Sequence, residues 1–366
     1  MRVVIKKVIL FIQHFQVMNN IRLYKVSILA VLITSKIFAQ DPHFTQFTNT
    51  PLLTNPAQIG VFSNPFNKDL SEYLSLKSSI YCNYRSQWMG SASSFNTGSL
   101  LYQMRFGDAT VNERGYYRKK IFENPINLGV GVMFDQSLNG ILKGNFLTMA
   151  GSYHLSLSET DGGGSSLGIG ANVTYASRTF DLSRTSFSQQ FTSGGFDLSI
   201  PNGEAAITNM KPYLSLGAGL LYSFRDESEV DFLKIGISVF NLNKPKQTFV
   251  NDENQFLKQR IVFNTSWTHR FNKTRIESQI LYQNQGKVNE LATSLYYDIF
   301  ISSDKSIGFG FFYRYHDAIA PCLRLDLNKF LITSSYDITS SNLKNGLKPS
   351  KSVEFSLQYF FNQNGE

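Results

Sequence analysis

The stretch that decides the fold is Val353-Glu354-Phe355-Ser356-Leu357-Gln358-Tyr359-Phe360-Phe361, close to the end of the chain. Its odd positions are all large and apolar, while Glu354, Ser356 and Gln358 are polar. Successive side chains of a strand point to opposite faces, so this alternation predicts a strand with one apolar and one polar face. Similar segments recur from about residue 78 onward. Alternation and turn residues place strands at 78–88, 97–106, 126–136, 145–157, 166–178, 212–224 and 231–241. They continue at 259–271, 274–284, 290–300, 305–315, 320–327, 329–337 and 353–361. Most are long enough to cross a membrane at a tilt of about 45°. The total of fourteen is even, as a closed barrel with both termini on one side requires. The expected class is all-β: a transmembrane antiparallel β-barrel of about 14 strands with an irregular N-terminal lead-in.

The start of the chain carries an export pattern. Arg22 and Lys25 precede an apolar run from Val26 to Thr34, and small Ala39 follows Ile37 and Phe38. Charged, apolar and small residues in that order predict a signal peptide over 1–39, cleaved before Gln40 or Asp41. Met18 would give that signal a conventional length and is the alternative start. The expected organisation is therefore a signal over 1–39, a periplasmic or plug-like segment over 40–77 and the barrel over 78–361.

Charge excludes a nucleic-acid role. The formal charge of +8 includes six cations (Arg2, Lys6, Lys7, Arg22, Lys25 and Lys36) and no acid within 1–39, leaving +2 for the rest. A near-balanced chain with no basic block gives a polyanion little to hold. Cys82 and Cys322 lie in strands far apart in order, one on an apolar and one on a polar face, and are read as free buried thiols, with an inter-strand bridge as the alternative.

Connection lengths are consistent with a barrel. Turns near Asn272-Lys273, Ser302–Asp304 and Asn328 are short, whereas 179–211, 242–258 and 338–352 are long and polar. Short inside and long outside is the bacterial pattern. The exception is 107–125, with Arg114, Arg118, Lys119 and Lys120: it is either a long basic periplasmic connection or a sign that the strand count slips by one. Glycines at spacing two (Gly129 and Gly131, Gly168 and Gly170, Gly217 and Gly219, Gly308 and Gly310) share one face, where they would relieve crowding and permit curvature on the inner wall.

Strand parity places Arg85, Arg260, Arg270, Arg275, Glu277, Glu290, Asp298, Arg314, Arg324, Asp326, Asp337 and Glu354 on the lumen side. A cation at the lipid-facing midplane costs ~2–4 kcal/mol, so these groups are expected inside, either as structural ion pairs and hydrogen bonds or as a polar binding surface or partial channel. Inward Tyr296, Phe312 and Phe360 would narrow any channel. Tyr84, Trp88, Tyr313, Tyr315, Tyr359 and Phe361 fall near strand ends, where aromatics form interfacial girdles. Beyond His14, which is lost with the signal, His43, His154, His269 and His316 lack metal-ligand spacing. Ser152 and His154 share a face, but residues two apart do so by default, so no catalytic residue, metal or cofactor is expected.

The lead-in is more specific. Gln40-Asp41-Pro42-His43-Phe44-Thr45-Gln46-Phe47, then Pro51-Leu52-Leu53-Thr54-Asn55-Pro56-Ala57 and Gly60, resembles the opening of the PorP/SprF family of Bacteroidetes outer-membrane proteins. Asn83-Tyr84-Arg85-Ser86-Gln87-Trp88, Ser335-Tyr336-Asp337 and the Glu354-containing last strand continue the similarity to about residue 361. Gln58 and Ile59 depart from the small residue and aromatic usual after the Asn-Pro-Ala motif.

The resemblance implies a non-enzymatic barrel of the type IX secretion system. Its partners would be outer-membrane lipid, other components of that system, and a large secreted adhesin, of the gliding type or another, or its C-terminal domain. The alternative is a channel or importer for small or hydrophobic solutes. Proline-restricted backbone at Pro42, Pro51 and Pro56 suits the lead-in to packing under or into the barrel.

Overall fold

The structure, a computed structural model, describes residues 44–62, 76–89, 94–106, 126–137, 140–159, 163–181, 185, 188–197, 199–200, 210–228, 230–248, 254–302, 304–340 and 351–362. The signal-like stretch 1–39, Met18, Asp41, Pro42 and the connection 107–125 lie outside these residues.

Sixteen strands follow one another among the described residues. They are β1 (Leu76–Met89), β2 (Phe95–Phe106), β3 (Ile126–Ser137), β4 (Leu142–Glu159), β5 (Gly164–Phe180), β6 (Phe191–Thr192), β7 (Gly195–Phe196) and β8 (Tyr213–Arg225). The remainder are β9 (Asp231–Phe240), β10 (Arg260–Arg270), β11 (Thr274–Gln285), β12 (Val288–Ser302), β13 (Lys305–Arg314), β14 (Ala318–Leu327), β15 (Phe330–Thr339) and β16 (Lys351–Asn362). Fourteen of them form a closed antiparallel barrel in which each strand pairs with the next and β16 closes on β1. The two short strands β6 and β7 make a separate hairpin inside the long connection between β5 and β8. The expected strands are all present; β1, β2, β4, β5, β12, β14 and β16 begin two or three residues earlier than alternation alone indicates. Leu76 and Lys77 belong to β1, so the barrel starts two residues before 78.

Parity sorts the side chains as the sequence pattern requires. On β16, Ser352, Glu354, Ser356, Gln358 and Phe360 are buried, while Phe355 and Leu357 are exposed. The same exposure of apolar groups runs around the outer wall through Leu100, Val132, Leu155, Ile169, Phe263 and Phe309. An apolar belt of this extent needs lipid rather than water as its solvent. A closed ladder also leaves no open edge, so every wall amide has a strand partner available.

One end of the barrel carries the long connections 181–212, 241–259 and 340–350. At the other end are the turns near Asn272, Asp304 and Asn328. The strand count does not slip at residue 107: β2 ends at Phe106 and β3 begins at Ile126 on the tight-turn side, so the basic connection falls there.

The core lies inside the barrel and is built jointly by wall and lead-in. Ile59 and Phe62 pack with Leu76, Tyr81, Leu101, Leu331 and Phe360. Phe47 packs with Phe240, Val262, Tyr296, Phe312 and Cys322. Cys322 thus faces inward, whereas Cys82 is exposed on the outer wall; both are free, and only one is buried.

Candidate functional site: a filled lumen

Residues 44–62 are not irregular throughout. A 3-10 turn at Phe47–Asn49, one helical turn α1 at Pro51–Thr54 and a second 3-10 turn at Pro56–Gln58 fold the chain tightly enough to fit a lumen. Pro51 and Pro56 occupy first helical positions, where a missing N–H costs nothing. The Asn55 side chain caps the second turn, accepting the Ala57 N–H at 2.9 Å.

This segment descends from the long-loop end to the tight-turn end. Near the long-loop end, Glu354 accepts the backbone N–H of Thr45 at 2.7 Å and that of Gln46 at 2.8 Å. Gln46 donates to Ser335 Oγ at 3.1 Å, and Thr45 Oγ1 bonds Asp337 and Arg314. Lower down, Asn83 donates to Asn49 O at 3.0 Å, Ser238 to Thr54 O at 2.6 Å and Ser152 to Ile59 O at 2.7 Å. At the tight-turn end Gln103 accepts the Gly60 N–H at 3.0 Å, and Arg105 Nε donates to Gly60 O at 2.6 Å. The Arg105 guanidinium also stacks over Phe62, 4.1 Å from its centroid. Buried main-chain groups need partners, and the wall supplies them from side chains because its own amides are engaged in the ladder.

The inner glycines make room for this segment. A Cβ at Gly170 would fall on the backbone of Pro56 and Ala57, at Gly219 on the Asn55 side chain, and at Gly131 on Leu52. Curvature alone does not explain them. Gly308 serves a different purpose, since a Cβ there would strike Asp298.

Most of the inward charges expected from strand parity fall into three groups. Around the segment's upper end, Arg85 pairs with Asp337 at 3.0 Å and approaches Glu354 at 3.7 Å, while Arg314 pairs with Asp337 at 2.8 Å and Asp317 at 2.7 Å. Arg85 and Glu354 are direct register partners in the strand pair that closes the barrel. Nearer the tight turns, Arg324 binds Asp298 at 2.5 and 3.0 Å and Glu277 at 2.8 Å; Arg275 binds Asp298 at 2.5 Å. The Arg324 guanidinium stacks on Tyr296 at 3.9 Å. In the third group, Arg260 reaches Gln283 at 3.0 Å, and Gln283 donates to Glu290 at 2.7 Å. Arg270 is half-buried over Phe300, and Asp326 is buried on the inner face.

The remaining motif residues divide by face. Phe44, Gln46, Asn55, Pro56, Ala57 and Gly60 are buried in the segment, Tyr84 and Tyr336 point outward, and Gln87 is half-buried. Trp88 lies in a register irregularity between β1 and β16, with φ 56° and its ring against Phe95 at 5.2 Å. The neighbours Ser152 and His154 are 3.2 Å apart, but the serine hydroxyl is committed to Ile59 O. Asn83 belongs to the first-strand motif quoted from the sequence, whereas Gln103, Arg105 and Ser238 stand outside every motif; the inward parity of β2 and β9 is the signal that points to them.

The profile of a family described as type IX secretion system membrane protein PorP/SprF matches residues 37–359. No curated protein sequence matches the chain. Among solved structures, a FadL homologue from Pseudomonas aeruginosa is similar at a TM-score of 0.46 and 10% identity, over 85% of this chain and 98% of that one. The toluene transporter TodX from Pseudomonas putida is similar at 0.45 and 9%, over 89% and 99%. CdiB from Acinetobacter baumannii is similar at 0.39 and 7%, over 78% of this chain and 60% of CdiB, so the chain spans less than two thirds of that protein.

Proposed function

Because the chain belongs to the PorP/SprF family of type IX secretion system membrane proteins, we propose that it is a non-enzymatic outer-membrane attachment point for a large secreted adhesin. Occupation of the lumen by residues 44–62, buried at Gln46, Asn55, Ala57, Ile59 and Phe62, carries this reading. A filled barrel offers its ends rather than its interior. On the long-loop side, the hairpin of β6 and β7 exposes Phe191 and Phe196 with their rings 5.2 Å apart. The connection 241–259 exposes Leu242 and Phe256 and is braced by the Lys246–Phe256 bridge. A standard interface buries ~1,600 Å² in total, which these two connections are long enough to supply. The tight-turn end, where β2 stops at Phe106 and β3 starts at Ile126, would face the opposite compartment, and the basic sequence 107–125 between them suits a periplasmic component of the same machine.

Shortening 242–258 and the hairpin loop to tight turns tests this. The barrel should still insert, while surface display of the secreted partner is lost. Normal display after both trims would refute loop-based recognition. The competing reading, a solute channel, requires residues 44–62 to leave the lumen. High basal conductance of the intact protein in planar bilayers would favour it. Export rests on the pattern ending at Ala39, and N-terminal sequencing of the outer-membrane protein should begin at Gln40 or Asp41.

A further inference from the structure

Nothing in residues 44–62 joins the barrel ladder among the described residues. The segment is held from the side chains of Glu354, Asn83, Ser238, Ser152, Gln103 and Arg105, and every one of these bonds a main-chain N–H or C=O. Main-chain recognition by convergent polar groups is how proteins bind peptides in extended or turned form, with specificity left to a few pockets. Here the pockets are few as well. Ala57 is fully buried with its backbone against Gly170, which leaves no room for a larger side chain; a ring at Phe47 lies 5.7 Å from Phe312, and Gly60 takes a positive φ of 78° over Asn127.

We propose that the lumen is a peptide-binding site and that residues 44–62 are the ligand it holds in cis. The segment's own order is limited to three short helical turns, so its conformation is imposed by the site rather than brought to it. Its upper end lies at the long-loop side, where Thr45 is one side chain from Arg314 and hence from the turn residue Asp317. A second peptide with an aromatic residue, an Asn-Pro-small motif and a following glycine at matching spacing would meet the same donors and acceptors from that side.

The test uses the full chain with a protease site placed within 63–75, folded and in micelles before it is cut. A fluorescent peptide of residues 44–62 is then added. The resident segment should be released, the labelled peptide should bind in its place, and the barrel should keep its heat-modifiable mobility on gels. Variant peptides leave the barrel unaltered and so cannot confound folding with binding. An Ala57→Leu peptide should bind at least about tenfold more weakly because overpacking is not absorbed by backbone. A Leu53→Ala peptide, altered at a half-buried position, should bind nearly as well as the parent. Three results would each overturn the proposal. These are a resident segment that stays while no labelled peptide binds, a barrel that loses its fold when the segment leaves, and a scrambled peptide that binds equally well.

Discussion

Glu354 accepts the main-chain N–H of Thr45 at 2.7 Å, joining residues 309 positions apart in sequence. Its second oxygen takes the N–H of Gln46 at 2.8 Å, and Arg85 stands across the strand pair from it. One carboxylate therefore ties the start of the inserted segment to the seam that closes the barrel.

Replacing Glu354 with alanine should loosen that segment more than it loosens the wall. Two buried N–H groups lose their acceptor, each a loss of about 1–3 kcal/mol, and Arg85 keeps Asp337 as its ion-pair partner. Conductance in planar bilayers should rise while the barrel remains folded. Glu354→Gln keeps one acceptor oxygen and should fall between the two. Unchanged conductance in both variants would show that the segment does not depend on this carboxylate.

Gly170→Ala should displace the inserted segment, because the new Cβ meets the backbone of Pro56 and Ala57 rather than a movable side-chain tip. Overpacking of this kind costs about 1–3 kcal/mol. Gly151→Ala is the control, since its Cβ would find Leu128 Cδ2 at an ordinary 3.4 Å. Thermal melts should separate the two, with Gly170→Ala the lower.

Asp298→Ala should weaken the wall without touching the segment. It leaves Arg275 and Arg324 sharing Glu277, and breaking a buried ion cluster costs about 3–5 kcal/mol. The loss should appear as a lower melting temperature with basal conductance. A conductance rise matching that of Glu354→Ala would mean that the two charge groups act as one.

Arg85→Leu should cost more folded barrel than Trp88→Leu. Arg85 is 2% exposed between two carboxylates, whereas Trp88 is a half-buried residue at a strand irregularity. Band shifts between heated and unheated gel samples rank the two, and a larger loss for Trp88→Leu would contradict the face assignment.

The strand frame was legible without coordinates because two periodic demands act together. A pleated strand alternates its side chains, and a membrane wall must be apolar on one side. Val353, Phe355 and Leu357 could therefore be separated from Glu354, Ser356 and Gln358 by parity, and the inward placement of Arg275 or Arg324 followed from the cost of charge in lipid. Parity names a face and stops there. It does not say that Arg324 would meet Asp298, nor that Gly170 and Gly219 would form notches for Ala57 and Asn55 rather than simple points of curvature.

What the sequence alone determined is thus the closed wall, its strand number and its two faces, because each depends on local alternation repeated along the chain. What the tertiary structure decided is how the lead-in fills the lumen and which side chains hold it. Residues 44–62 have no period, and their partners Glu354, Asp337, Ser238, Ser152 and Arg105 are spread over five strands. Those strands come together only when β16 closes on β1. Before closure, the carboxylate of Glu354 and the amides of Thr45 and Gln46 have water as their partner; after it, they have each other.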